Sequence, residues 1–218
     1  MPHFNPDVRL SEIVIKEPSI IPVLNRFGIT LGTGDMTLRE TSDSHRLDPD
    51  FLLSIINTHS DDEYFPEQAL KSVQVSTIVD YLTKTHNYYT RFQIPNIERH
   101  FDALLHTSSD NSNLSLMRRF FESVKKQLLV NIEQDAQQLF PTLLDGKEID
   151  DTGLFSQSPV AEMLTDLKNM FIIHLTGNYD LNLAYAVIVA IITLENDIRK
   201  NNRIRDRILL GQYKRNDQ

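Results

Sequence analysis

A chain of 218 residues, 40% hydrophobic and 24% charged, is long enough to bury a sizeable core, either as one domain or as a small domain plus a larger one. Its net charge of −8 argues against a general nucleic-acid coat, because the phosphate backbone rewards basic surfaces. The absence of cysteine excludes a disulfide framework, a thiolate nucleophile, Cys-ligated zinc and a Cys-ligated iron–sulfur cluster.

The N-terminus, Met1-Pro-His-Phe-Asn-Pro-Asp7, has no basic region followed by an apolar run, so no signal peptide is expected there. Residues 8 to about 60 read as a module of short helices. Leu10, Ile13 and Val14 pack one turn, and Pro18 opens the next with Ile20, Ile21, Val23, Leu24 and Phe27. Gly28 stands at a helix C-cap position. Thr37 and Glu40 have capping-box spacing, and Asp48-Pro-Asp50 starts a helix through Phe51, Leu52, Ile55 and Ile56. The acidic stretch His59–Pro66 is the best linker candidate.

Four long helical segments are expected beyond it. The first runs from about Ser76 to Thr107, bent at Pro95, and the second from about Asn113 to Phe140. The third starts at Ser158-Pro159 and runs up to Gly177; the fourth continues from Asn178 to about Leu210. The longest apolar run, Ala184 to Leu194, is too short to span a bilayer and reads as a core helix. With only seven glycines and no strand pattern, the expected fold is all-α. A small helical domain (1–60) and a linker (61–75) precede an antiparallel four-helix bundle (76–218).

The second long helix carries the most informative pattern. Asn131 and Asp135 are four residues apart and share one face, while Leu128, Ile132 and Leu139 supply an apolar stripe. His and Glu at those positions would grip a transition metal; Asn and Asp can hydrogen-bond, or weakly hold a hard cation.

Two separated signals resemble one family. Arg26-Phe-Gly-Ile29 followed by Gly34-Asp-Met-Thr-Leu-Arg-Glu40 looks like the small N-terminal domain of the iron–sulfur cluster repair di-iron proteins of the ScdA/YtfE type. The segments His86-Asn-Tyr-Tyr-Thr-Arg-Phe-Gln-Ile-Pro95, Leu139-Phe-Pro141 and Ser158-Pro159 fall in the order of their hemerythrin-like domain. The family places a Cys-Cys pair after the first motif, where this chain has Gly32-Thr33, and holds two irons with several His and two bridging Glu.

Carried onto this chain, the resemblance puts ligand positions at Asn87 and Ser108 when aligned on Pro95, or at His86 and Thr107 when aligned on His86. His106 fits only with a further one-residue slip, and each slip turns a side chain by about 100°. The other positions are Asn131 and Asp135, Asp166-Leu167, and Asp197 with Asn201. The resemblance thus implies a hemerythrin-like bundle with a lost di-iron site and no expected cofactor. Asn87, Asn131, Asp135, Asp197 and Asn201 then form either a buried polar network or an oxygen-lined site for magnesium or calcium. A shifted register would instead turn them to solvent.

The function expected is non-enzymatic: regulation or binding of an unidentified protein partner in a redox or nitrosative stress setting. The location expected is cytoplasmic, with no nucleic acid or membrane partner. Self-association through the N-terminal module as a homodimer is compatible with it. The alternative is retained iron on His86 or His106 with Asp135 and Asp197, acting in cluster repair or in oxygen or nitric oxide sensing. Apart from that alternative, His100, His106 and His174 read as solvated or singly hydrogen-bonded, and the basic run Arg199–Arg207 as a solvated helix end that complements the dipole.

Overall fold

The computed structural model describes residues 3–108, 112–149 and 159–211. Among them the chain is all-α, with an isolated antiparallel bridge between Arg9 and Thr37. The helices are α1 Leu10–Lys16, α2 Ile21–Arg26, α3 Leu38–Ser44, α4 Pro49–Ser60, α5 Glu67–Lys71 and α6 Val75–Tyr88. There follow α7 Ile94–Thr107, α8 Ser112–Gln134, α9 Phe140–Leu144, α10 Val160–His174 and α11 Leu181–Ile204. The expected start of the third long helix at Ser158 lies outside the described residues; α10 itself begins at Val160, after Pro159.

Short-range chemistry sets the helix ends. Gly28 takes φ +75°, its N–H bonds the Asn25 carbonyl, and the Ile29 N–H reaches back to Leu24. That is a Schellman ending, and only glycine enters this backbone region without Cβ strain. Thr37 and Glu40 close a reciprocal capping box at the start of α3. The Asp48 carboxylate accepts from the Asp50 and Phe51 N–H groups, with Pro49 at the first helical position of α4.

The chain divides into two compact units, residues 1–84 with 203–213, and residues 85–202 with 214–218. In the first unit α1 to α4, with the short helical turn Pro18–Ile20, bury Leu10, Ile13, Ile20, Val23, Leu38, Leu52, Ile55 and Ile56. The stretch expected to be a linker contains α5, whose Leu70 is fully buried, and α5 packs on the helical segment Arg205–Leu210. The basic run keeps Arg207 exposed to solvent there but is also engaged. Arg203 and Arg207 lie over the Phe65 ring at 5.0 and 4.4 Å, Arg207 also pairs with Glu67, and Arg203 donates to the Asp62 and Tyr64 carbonyls.

In the second unit α7, α8, α10 and α11 contribute to one hydrophobic core. Ile97, Phe101 and Leu104 come from α7; Met117, Phe121 and Val124 from α8; Leu164, Leu167 and Phe171 from α10; Val187, Ile191, Leu194 and Ile198 from α11. Phe101 sits at its centre, 5.3 Å from Phe171 edge-on and 6.1 Å from Phe121. Length and composition alone would let Leu181–Leu210 cross a membrane. The Val187–Ile191–Leu194–Ile198 stripe is packed into this core.

Among the described residues three wide π-helical turns interrupt or extend the long helices, at Tyr89–Gln93, Asp135–Leu139 and Arg205–Leu210. The first two end two residues before Pro95 and Pro141. In a regular helix each proline ring would strike the carbonyl four residues back. Widening the turn removes the clash, and Ile94 and Phe140 donate five residues back, to Tyr89 and Asp135.

Candidate functional site

The candidate site lies in the second unit, where the π turns place polar groups. His86 is two residues from the end of α6, and its side chain is 16% exposed. Its Nε2 stands 3.7 Å from Oδ2 of Asp135, the residue that opens the second π turn. This is ion-pair distance for a protonated imidazole and too long for a hydrogen bond. The imidazole stacks on Phe140, with ring centroids 5.6 Å apart and planes inclined by 12°.

Asn201 on α11 is buried and fixed by its amide N–H groups. Nδ2 donates to the Asp197 carbonyl at 2.8 Å and to the Tyr89 hydroxyl at 3.1 Å. Its Oδ1 is buried without a hydrogen-bond partner. Asp197 is buried beside it on the same helix.

Of the positions proposed from the sequence, the structure brings His86 to Asp135, and Asn201 to Asp197 and Tyr89. Asn131 is half-buried and accepts from Gln127 along its own helix at 3.0 Å. Asn87 does not join a buried network. It is exposed, because the π turn inserts an extra residue between His86 and Pro95 and leaves His86 on the inner face. His106 is exposed at the end of α7, and Asp166 is exposed while its neighbour Leu167 enters the core. Ser108 and Thr107 return their hydroxyls to carbonyls of their own helix, at Leu104 and Ala103. His174 is exposed and His100 half-buried.

A second buried polar centre had no counterpart in the motif reading. Glu195 is 4% exposed and accepts from Lys168 Nζ at 2.7 Å and Thr165 Oγ1 at 2.6 Å, with Arg199 at 3.4 Å. Burial pushes its carboxyl up; the bonds from Lys168 and Thr165, with the charges of Lys168 and Arg199, outweigh that and hold it below the ordinary glutamate range. The sequence signal for it was a carboxylate in register with the apolar stripe of α11, four residues after Ile191 and four before Arg199.

Among the described residues no group of three or more His, Cys, Asp or Glu side chains could hold a metal ion. The groups here, the His86 imidazole, the Asp135 and Asp197 carboxylates and the Asn201 amide, include a single imidazole and do not fit a pair of irons, which needs several imidazoles and bridging carboxylates. Compared with known proteins, the chain matches no family model and no curated relative.

Proposed function

We propose that this chain is a hemerythrin-like four-helix-bundle protein, related to the iron–sulfur cluster repair type, in which hydrogen-bonded polar groups stand at the di-iron positions. In this reading it is not an enzyme. It works in the cytoplasm by binding a protein partner, in a redox or nitrosative stress setting.

The observation that supports this reading is Asn201. At a position where the resemblance implies an iron ligand, the amide turns its N–H groups to the Asp197 carbonyl and the Tyr89 hydroxyl. Donation through Nδ2 to two oxygens makes the side chain a structural tie between α11 and the first π turn, and the Oδ1 left over is a neutral amide oxygen, a poor ligand for iron. Metal analysis of protein purified from iron-replete cells tests it, with an iron content well below one per chain expected. About two irons per chain, with the absorption bands of an oxo-bridged pair, would overturn it.

The facing of His86 and Asp135 favours a second reading, a single iron held by that pair with solvent ligands. One iron per chain in the parent and none in His86→Ala would establish it in place of the first.

A further inference from the structure

Two grooves adjoin on the second unit. One, of about 350 Å³, is lined by Tyr88, Arg91, Phe92, Pro95 and Arg99. The other, of about 490 Å³, runs along His100, Asn182, Tyr185, Ala186 and Val189. Gln93 and Asn96 border both, so the two form one surface. The π turn before Pro95 sets Phe92 60% exposed, and α11 presents Tyr185 and Val189, one turn apart, at 58% and 60%.

The charge on this surface is one-sided. It holds two arginines and a histidine, and among the described residues no Asp or Glu lines either groove, on a chain of net charge −8. Arg91 and Arg99 are exposed, and Arg99 donates to the neutral Asn96. Arg118, Arg199 and Arg207, in contrast, are each paired with carboxylates. Exposed aromatics beside arginines that have no acidic partner among the described residues are the composition of a protein-recognition surface.

We propose that this surface docks a protein segment carrying carboxylates beside an apolar side chain. The apolar anchor lies on Tyr185, Ala186 and Val189, and the carboxylates meet Arg91 and Arg99. The same chemistry already operates within the first unit, where Arg203 and Arg207 hold Phe65 and Arg207 takes Glu67. A polyphosphate is the poorer match, since two arginines on an acidic chain neutralise few phosphates. The inference rests on the protein-binding role proposed above and specifies its surface.

The test pans a phage-displayed library of random 16-residue peptides on the full chain, then titrates the enriched peptides by fluorescence anisotropy. Enriched sequences should pair Asp or Glu with an aromatic or branched aliphatic residue. Their affinity should fall at least about tenfold in Arg91→Glu/Arg99→Glu and in Tyr185→Ala, and should weaken with added salt. Circular dichroism and melting temperature should match the parent, because the replaced side chains are exposed.

Peptides without acidic residues, or tighter binding of a uridine 12-mer, overturn the proposal. So does a dimer in light scattering that Tyr185→Asp disperses. Peptides that bind the groove variants as well as the parent sink the groove and leave the binding role standing. An empty selection sinks the groove, and joined by two irons per chain it sinks the binding role too.

Discussion

His86 Nε2 faces Asp135 Oδ2 at 3.7 Å while its ring lies flat against Phe140. The two contacts are separable. His86→Phe keeps an aromatic ring on Phe140 and removes the polar partner of the carboxylate; Asp135→Leu removes the carboxylate. In a double-mutant cycle read by urea unfolding, the pair should show a coupling energy of about 0.5–3 kcal/mol, as contacting polar groups do. Each single variant should also lower stability by about 1–3 kcal/mol, the cost of disturbing a buried polar partner. Additivity within about 0.3 kcal/mol would mean that the approach of the two groups carries no energy.

Position 201 discriminates between a hydrogen-bonded tie and a ligand site. Asn201→Asp would place a carboxylate oxygen against the Asp197 carbonyl, where Nδ2 now donates at 2.8 Å. Burying an unpaired acceptor there should cost about 2–4 kcal/mol. Asn201→Leu removes the orphaned Oδ1 together with the two bonds, and should cost less than the aspartate. A site that holds a cation would show the opposite order, with the melting temperature of the Asn201→Asp variant rising on addition of ferrous iron. Thermal melts of both variants with and without the metal give the comparison.

The parts of the fold legible in the sequence are those set by neighbours a few residues apart. The Gly28 ending, the Thr37–Glu40 capping box and the Asp48-Pro49 start are local chemistry, and each stands where its residue types place it. The core stripes of α7 and α11 follow from apolar spacing in the same way. Register at the site was not legible. Pro95 and Pro141 mark a disturbance in the helix without saying whether it is a bend or a wide turn. The wide turn shifts everything before it by a residue relative to the proline, which turns His86 inward and Asn87 out.

Long-range pairing was equally hidden. Nothing near Arg203 and Arg207 in the chain points to Phe65, about 140 residues away, so a basic run read as a solvated helix end serves as an aromatic clasp. The orphaned Oδ1 of Asn201 is invisible for the same reason, since its partners' absence is a property of packing.

Glu195 makes the stability of the second unit depend on acid. Its carboxyl is held below the ordinary glutamate range by the bonds from Lys168 and Thr165 with the charges of Lys168 and Arg199, which overcome its burial. A carboxyl depressed in the folded state binds its proton more readily when unfolded, so the unfolded chain takes up protons first as pH falls. The stabilisation is therefore fully present above the unfolded value near pH ~4.3 and is lost as pH drops through the lower folded value. Lys168→Met removes the strongest of the partners that lower the carboxyl, whose Nζ stands 2.7 Å from Oε2. At pH 7 the variant should lose about 1.5–3 kcal/mol, the range for a hydrogen bond to a charged group. The difference from the parent should shrink as the carboxyl is protonated, so urea midpoints taken from pH 7 down to pH 3 should converge. Midpoints that stay parallel over that range would show that Lys168 acts through its packing and not through its charge on Glu195.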